Sequence, residues 1–414
     1  MTVAAFRFGM EGVERVGWKR PRPSRWIVII GLALIGTYAA STLLDLALPP
    51  PTGDHAVGRA SWVWVDDSRP ERHTPETGDV RSVPVRAWYP ARAGTGQPAG
   101  YVEDLDVIES GLKASGELSW LETLGLRMVR HQSLQGAEVA ASDGGFPVLI
   151  LSPGNATNVG FYSALAEDLA SKGYVVIGID HAFQVAAVRI EDGSVAVYDQ
   201  SMDAGLESIG PKIEERVADM GFVLERIREG TGDIEFLAPS LDLDRIGVLG
   251  HSNGGISAVE ICRADIGIAA CLNIDGQSAG GPFGYERDAS APEQPFMYLT
   301  KETSIHEALD RRFEAAGAGA VRAVVPVAEH GDFTDGGMLE PDVNPFSNTA
   351  RSVMVTTRAL VSAFFDQWLN EPRSRPFSGL DVPSDVYINV YPLGDNRPIP
   401  VEASRFFMQP VTNT

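Results

Sequence analysis

The stretch that most constrains the fold of this chain runs from Asp244 to Ile256, Asp-Arg-Ile-Gly-Val-Leu-Gly-His-Ser-Asn-Gly-Gly-Ile. Arg245 to Leu249 read as a short buried strand, and Ile256 to Cys262 continue as a helix. Between them, Gly250-His-Ser-Asn-Gly254 fits G-x-S-x-G. In a strand–turn–helix setting this is the pattern of a nucleophile elbow. The serine sits at strained dihedrals on a sharp turn, and the glycines let neighbouring backbone approach it closely. Such a turn lifts the Ser252 hydroxyl above the sheet edge and aims the Asn253 N–H at a developing oxyanion. The competing reading is an ordinary strand–helix turn with no chemistry on it.

The surrounding pattern fits a parallel sheet. Val148 to Leu151 form a buried strand followed by the tight loop Ser152-Pro-Gly-Asn155. Gly160 to Lys172 are an amphipathic helix closed by Gly173, and Tyr174 to Ile179 are the next strand, ending at Asp180-His181. A small hairpin is expected over Ala186–Val197, and a helix over Pro211–Glu229. Further strands are expected at Ile266–Ile274, Phe296–Leu299 and Val321–Val327, and a long last helix at Ser347–Leu369. Alternating strands and helices predict an α/β fold, a mostly parallel, doubly wound sheet with helices on both faces. Residues 60–66 and 81–89, rich in aromatic and β-branched residues, are expected to open it as antiparallel strands. The domain then covers 59–370. Within it, residues 100–141 read as an insertion near the site mouth, with helical periodicity around Val102–Ile108 and Leu118–Val129. Residues 371–414 form a C-terminal extension with one strand-like run at Val386–Tyr391.

Residues 1–58 stand apart. Lys19, Arg20, Arg22 and Arg25 precede an uncharged run from Trp26 to Leu44, closed by Asp45. The run is just long enough to span a bilayer, so an apolar N-terminal helix over about 26–48 is expected as a signal-anchor. A cleaved signal peptide fits the same basic flank and the small residues of Tyr38-Ala-Ala-Ser41, and a buried soluble helix is a third reading. The basic flank keeps the N-terminus cytoplasmic, so the domain is expected outside, membrane-anchored or secreted. Pro49-Pro-Pro51 and a polar linker to about residue 58 should separate the run from any core. The formal net charge of −21 argues against nucleic acid as a partner. Cys262 and Cys271 are the two cysteines of the chain, both in apolar contexts, and read as buried thiols, with a disulfide as the alternative in an exported chain. Two cysteines suggest no metal site.

In open α/β sheets the functional groups gather at the carboxyl ends of strands, which singles out Asn155, Asp180, Ser252, Asp275 and His330. A serine hydroxyl needs a base within reach, itself held by an acid, and Ser-Asp-His is the chain order expected here. His330, in Ala328-Glu-His-Gly-Asp-Phe333, follows a strand and is the candidate base. Asp275 ends the strand after the elbow and is the candidate acid; Glu302, past the next strand, is the alternative. The backbone N–H groups of Asn155 and Asn253 are the candidate oxyanion donors. His181, His251 and Phe333 are expected to line the pocket, with the His251 side chain pointing away from its neighbour Ser252.

Leu151-Ser-Pro-Gly-Asn155, Ile179-Asp-His181, Gly250-His-Ser-Asn-Gly-Gly255, Ile274-Asp275 and Glu329-His-Gly-Asp-Phe333 together resemble the platelet-activating factor acetylhydrolase family of α/β-hydrolases, as does Val83-Pro-Val-Arg-Ala-Trp-Tyr-Pro90. The resemblance covers about residues 80–370. It implies an α/β-hydrolase fold whose acid comes from the strand directly after the elbow, where Asp275 stands. It also implies serine hydrolysis of short or oxidised acyl esters, phospholipid-type esters included, without metal or cofactor. Two positions depart from it. Pro153 stands where these enzymes usually carry histidine, and Asn253 follows the serine where a bulky apolar residue is common. The other expectations weighed are a lipase or polyesterase on the same fold, and a membrane-tethered binding module that keeps the fold without the catalysis.

Overall fold

A computed structural model describes residues 46–115, 125–203, 209–276, 292–302, 319–339, 348–370, 377 and 379–390. Of the expected N-terminal apolar helix, about 26–48, residues 26–45 lie outside the described residues, as do Leu118–Leu124 of the expected insertion helix. No helix among the described residues is long and apolar enough to cross a membrane.

Among the described residues, eleven strands form one sheet and two more a small hairpin. In chain order they are β1 (Ala56–Pro70), β2 (Val80–Ala91), β3 (Gln97–Pro98), β4 (Ser133–Gln135), β5 (Phe146–Ser152) and β6 (Val175–Ile179). The hairpin β7 (Ala187–Arg189) and β8 (Val195–Val197) comes next. Then follow β9 (Leu241–His251), β10 (Ala270–Ile274), β11 (Phe296–Thr300), β12 (Val321–Val324) and β13 (Tyr387–Val390). The order across the sheet is β13-β12-β11-β10-β9-β5-β6-β2-β1-β4-β3. The run from β12 to β6 is parallel throughout, while β2 and β1 pair antiparallel on one side and β13 on the other.

The helices are α1 (Leu105–Ser115), α2 (Ser163–Ser171), α3 (Ile209–Glu229), α4 (Asn253–Ala264), the short α5 (Asp335–Leu339) and α6 (Thr349–Leu369). The central strands are buried on both faces, which explains their continuous apolar runs. Their alternate residues feed two cores. Leu149 and Leu151 of β5 pack with α2 and α6, whereas Val148 and Ile150 pack with α3 and α4. Side chains from both faces thus clamp β5 and β9, and the loops at their carboxyl ends inherit that rigidity.

Four expectations are corrected. The residues expected as a free linker are docked on the domain. Leu48 is buried, and the Arg358 guanidinium of α6 donates to the carbonyls of Pro49 and Pro50. Thr52 bonds the buried Asp168 carboxylate through both its N–H and its hydroxyl. A compact unit accordingly begins at Leu46 rather than near residue 59. Next, part of the 100–141 segment belongs to the sheet, because β4 pairs parallel with β1 and carries β3 at the sheet's end. Third, Cys262 and Cys271 are joined as a disulfide, with Cα atoms 6.2 Å apart, where free thiols were the first reading. The end of α4 and the start of β10 lie side by side across the 263–269 turn, which brings the two sulfurs together. Finally, the strand expected from Ile266 starts only at Ala270, and Ile266 itself is exposed.

Candidate active site

The elbow forms as its glycines require. Ser252 lies between the end of β9 and the start of α4 at φ 54° and ψ −122°, a region few side chains adopt. A Cβ on Gly254 would come within 2.1 Å of the Ser152 carbonyl oxygen, so only glycine lets α4 start this close to the loop after β5. The Ser252 N–H donates to Ile274 O at 2.9 Å, which fixes the serine beside the end of β10.

Asp275, the next residue, also has positive φ (49°), and its side chain is almost wholly buried. The turn is set by Asn273, whose side-chain oxygen accepts from Gly276 N–H at 2.7 Å while its amide donates to Gly276 O. Asp275 Oδ2 accepts from His330 Nδ1 at 2.6 Å. A carboxylate only accepts, so Nδ1 carries the proton and Nε2 is left bare, the tautomer a general base needs. The imidazole is about half exposed. Glu302, the alternative acid, is exposed, and His330 pairs with Asp275 instead. Among the described residues no hydrogen bond joins Ser252 Oγ to His330. Catalytic contacts of this kind are often long before substrate binds.

The base loop is held from below. Residues His330–Phe333 make one 3-10 turn in which the Asp332 carboxylate accepts from Glu329 N–H at 2.8 Å, and Phe333 is fully buried. Two residues on, the buried Asp335 accepts from Tyr101 hydroxyl at 2.8 Å and from Ala164 N–H in the first turn of α2 at 3.1 Å. Burial pushes the Asp335 carboxyl well above the usual carboxylate range.

The loop after β5 meets the elbow directly. A Cβ on Gly154 would stand 3.5 Å from Ser252 Cβ and 3.1 Å from His251 Nδ1. Gly154 N–H donates to the Tyr162 hydroxyl at 2.9 Å. The N–H of Asn155 is engaged by no backbone carbonyl among the described residues. Asn253 opens α4, where backbone N–H groups have no partner within the helix. Both are thus able to serve an oxyanion.

His251, His181 and Phe333, expected to line the pocket, are all buried. His251 Nε2 faces His330 O at 3.1 Å, and its Nδ1 faces the Tyr162 hydroxyl at 2.9 Å. A carbonyl only accepts, so Nε2 carries the proton, and Tyr162 donates to Nδ1. Burial first, and the nearby His330 second, push the His251 pKa down to about 3, which keeps it neutral. The chain Gly154–Tyr162–His251–His330 therefore ties the loop after β5 to the base loop. His181 sits deeper, with Nδ1 on Asp219 at 2.9 Å and Nε2 on the Ser152 hydroxyl at 2.9 Å. Burial pushes its pKa down to about 4. Sequence reasoning did not single out Tyr162, Asp219 or Arg216. Tyr162 and Arg216 lie inside amphipathic helical patterns, where an aromatic or an arginine reads as core or solvated face. Among the described residues no group of acidic, histidine or cysteine side chains could hold a metal ion.

An elbow on a mostly parallel sheet, with a paired aspartate and histidine on the loops of later strands, defines an α/β-hydrolase fold. A sequence model of the family described as "Platelet-activating factor acetylhydrolase, isoform II" matches residues 43–200, from the docked N-terminal segment through the loop after β5 to the hairpin. Among curated proteins, the chain is 28% identical over 153 residues to a "Probable 1-alkyl-2-acetylglycerophosphocholine esterase" of Arthroderma benhamiae, covering 37% of either chain. It is 23% identical over 188 residues to a "Platelet-activating factor acetylhydrolase" of Gallus gallus, covering 38% of this chain and 44% of that one. The chain spans less than half the length of these curated relatives. Among solved structures, a ferulic acid esterase from Streptomyces cinnamoneus matches 83% of this chain and 98% of its own, at 28% identity and a TM-score of 0.67. The chain is thus similar to the platelet-activating factor acetylhydrolases over residues 43–200 and to a bacterial esterase along most of its length.

Proposed function

We propose that the protein is a serine carboxylic-ester hydrolase acting on short acyl or phospholipid-type esters. The observation that best supports this reading is the His330–Asp275 hydrogen bond, which leaves the imidazole Nε2 without a proton, in a chain whose strained elbow carries Ser252. Ser252 Oγ attacks the ester carbonyl as His330 Nε2 takes its proton. Asp275 holds the imidazole in that tautomer and stabilises the imidazolium. The tetrahedral oxyanion lies between the N–H groups of Asn155 and Asn253. The intermediate collapses, His330 gives its proton to the leaving alcohol, and water, deprotonated by His330, releases the acid from Ser252. Expressed without residues 1–45, the protein should hydrolyse p-nitrophenyl acetate or butyrate. Ser252→Ala should lower turnover by at least about 10³-fold with the thermal transition unchanged. Undiminished turnover in a folded Ser252→Ala would overturn the reading.

The esterase neighbour favours a second reading of the substrate, an aryl-acid ester rather than a lipid. A panel running from acetyl to palmitoyl and feruloyl esters, with phospholipids, separates these from a lipase. Fold similarity alone leaves room for a silent binding module, which such a panel would reveal as inactive on every ester. We also infer that the domain lies outside the cytoplasm, anchored or released through residues 26–44. The basic flank before that run and the paired cysteines favour an oxidising compartment.

A further inference from the structure

A guanidinium lies behind the loop that follows β5, on a residue no step of the mechanism uses. Arg216 of α3 is fully buried. Its Nη1 donates to Pro153 O at 2.6 Å and its Nη2 to Gly154 O at 3.3 Å. Its Nε donates to Gln184 Oε1 at 2.7 Å, and weaker contacts reach Ser152 Oγ and Gln184 O. Gln184 is itself fixed. Its amide donates to Glu215 at 2.9 Å and to Lys212 O, and its carbonyl accepts from Ala156 N–H at 2.9 Å.

All peptides among the described residues are trans, so each N–H points opposite to the carbonyl before it. The consequence can be checked at Gly154. Arg216 holds the Pro153 carbonyl on one side, and the Gly154 N–H points to the other, where it meets Tyr162 hydroxyl. That other side is the elbow side, because the missing Cβ of Gly154 faces Tyr162 Oη, His251 Nδ1 and Ser252 Cβ. The same geometry applies one peptide later. Arg216 holds Gly154 O, so the Asn155 N–H is turned from the guanidinium.

We propose that Arg216 is a positioning residue for the oxyanion hole, gripping the carbonyls of Pro153 and Gly154 from behind so that the Asn155 N–H stays presented to the tetrahedral oxyanion. This rests on the hydrolase reading above and deepens it. The buried positive charge acts twice. It sets the direction of the donor before substrate arrives, so no reorganisation is needed during reaction. It also polarises the peptide whose N–H does the donating, since hydrogen bonds in series strengthen one another in a low dielectric. The Ser152–His181–Asp219 series beside it has the residue types of a catalytic triad, yet it is fully buried. It braces the loop from the strand end, with Asp219 also held by Arg81 at 2.8 Å.

The test compares Arg216→Lys and Arg216→Gln with the parent enzyme on a short p-nitrophenyl ester, and adds a trifluoromethyl ketone that forms a tetrahedral adduct. An ammonium keeps the charge but lacks the planar fork that spans both carbonyls and Gln184, so Arg216→Lys should retain part of the effect. The expected result is kcat lower by about 10²-fold in Arg216→Gln and less in Arg216→Lys, with KM within about threefold and ketone affinity falling in step with kcat. A folded Arg216→Lys and Arg216→Gln whose kcat stays within threefold of the parent, or whose loss falls on KM, would overturn the proposal. If neither variant folds, Gln184→Leu decides. It frees the Arg216 Nε without touching the loop carbonyls, and should lower kcat by about tenfold at unchanged KM; an unchanged kcat rejects the proposal. Ser252→Ala run alongside separates the two readings. Its loss of turnover together with an unaffected Arg216→Gln rejects the positioning role alone. Retained turnover in Ser252→Ala rejects the hydrolase reading and this inference with it.

Discussion

At the scale of single residues, the chemistry proposed here depends on which atoms carry protons, and those assignments follow from partners that can only accept. Asp275 fixes the proton on His330 Nδ1, and the carbonyl of His330 fixes the proton on His251 Nε2. Asp275→Asn would present a donor or a weaker acceptor to Nδ1 and favour the wrong tautomer. It should lower kcat on a short ester by about 10³- to 10⁴-fold with KM little changed. Glu302→Gln should leave kcat within about twofold, because its exposed carboxylate is not the partner of His330. The reverse pattern would move the acid to Glu302. The strand-to-helix turn at Ser252, the place of Asp275 after β10 and the loop that carries His330 were legible in the sequence, because glycines and apolar runs mark them. His251 and His181 were legible only as histidines near the site. Their burial comes from Tyr162 and Asp219, which helical periodicity offers as ordinary core or surface.

At the scale of elements, the two faces of β5 carry alternate side chains into separate cores, and the apolar runs announced those central strands. The first docked segment was not announced. Pro49 to Pro51 and the polar residues after them read as a linker, since local sequence does not reveal which distant groups wait for their carbonyls. The partners lie in α2 and α6, more than a hundred residues away. Arg358 donates to Pro49 O and Pro50 O and pairs closely with the buried Asp168, which also bonds Thr52 and Lys172. Burial alone would raise the Asp168 pKa, but hydrogen bonds and charge from Arg358 hold it below the usual carboxylate range. Arg358→Ala would leave that carboxylate short of its main counter-charge. We expect a loss of about 3–5 kcal/mol in unfolding free energy by urea titration, with the remaining folded fraction still active. A loss under about 1 kcal/mol would show that the docking contributes little to the fold.

At the scale of the whole molecule, burying two neutral histidines links stability to pH. His251 has its pKa pushed from about 6.5 down to about 3 in the folded state, and His181 down to about 4. Below about pH 6.5 the unfolded chain takes up protons that the folded chain refuses, so these groups weaken the fold as pH falls. Asp335 and Asp180, whose carboxyls burial pushes up, act in the opposite sense. The histidine contribution is isolated by a difference. The stability advantage of the parent over His251→Gln should narrow steadily as pH drops from 7 toward 4, as urea midpoints would record. A constant advantage would mean that His251 binds its proton equally well in the folded and unfolded chain. The fold was legible at this scale because strands alternate with helices. The disulfide was not, because pairing Cys262 with Cys271 depends on how α4 meets β10 in space. The most direct measurement of the proposed chemistry is fluorophosphonate labelling of the folded protein, with the adduct located by mass spectrometry of its peptides. A single adduct on Ser252, lost in His330→Ala, is predicted; a folded protein that takes up no label, or takes it up on another serine, would contradict the triad.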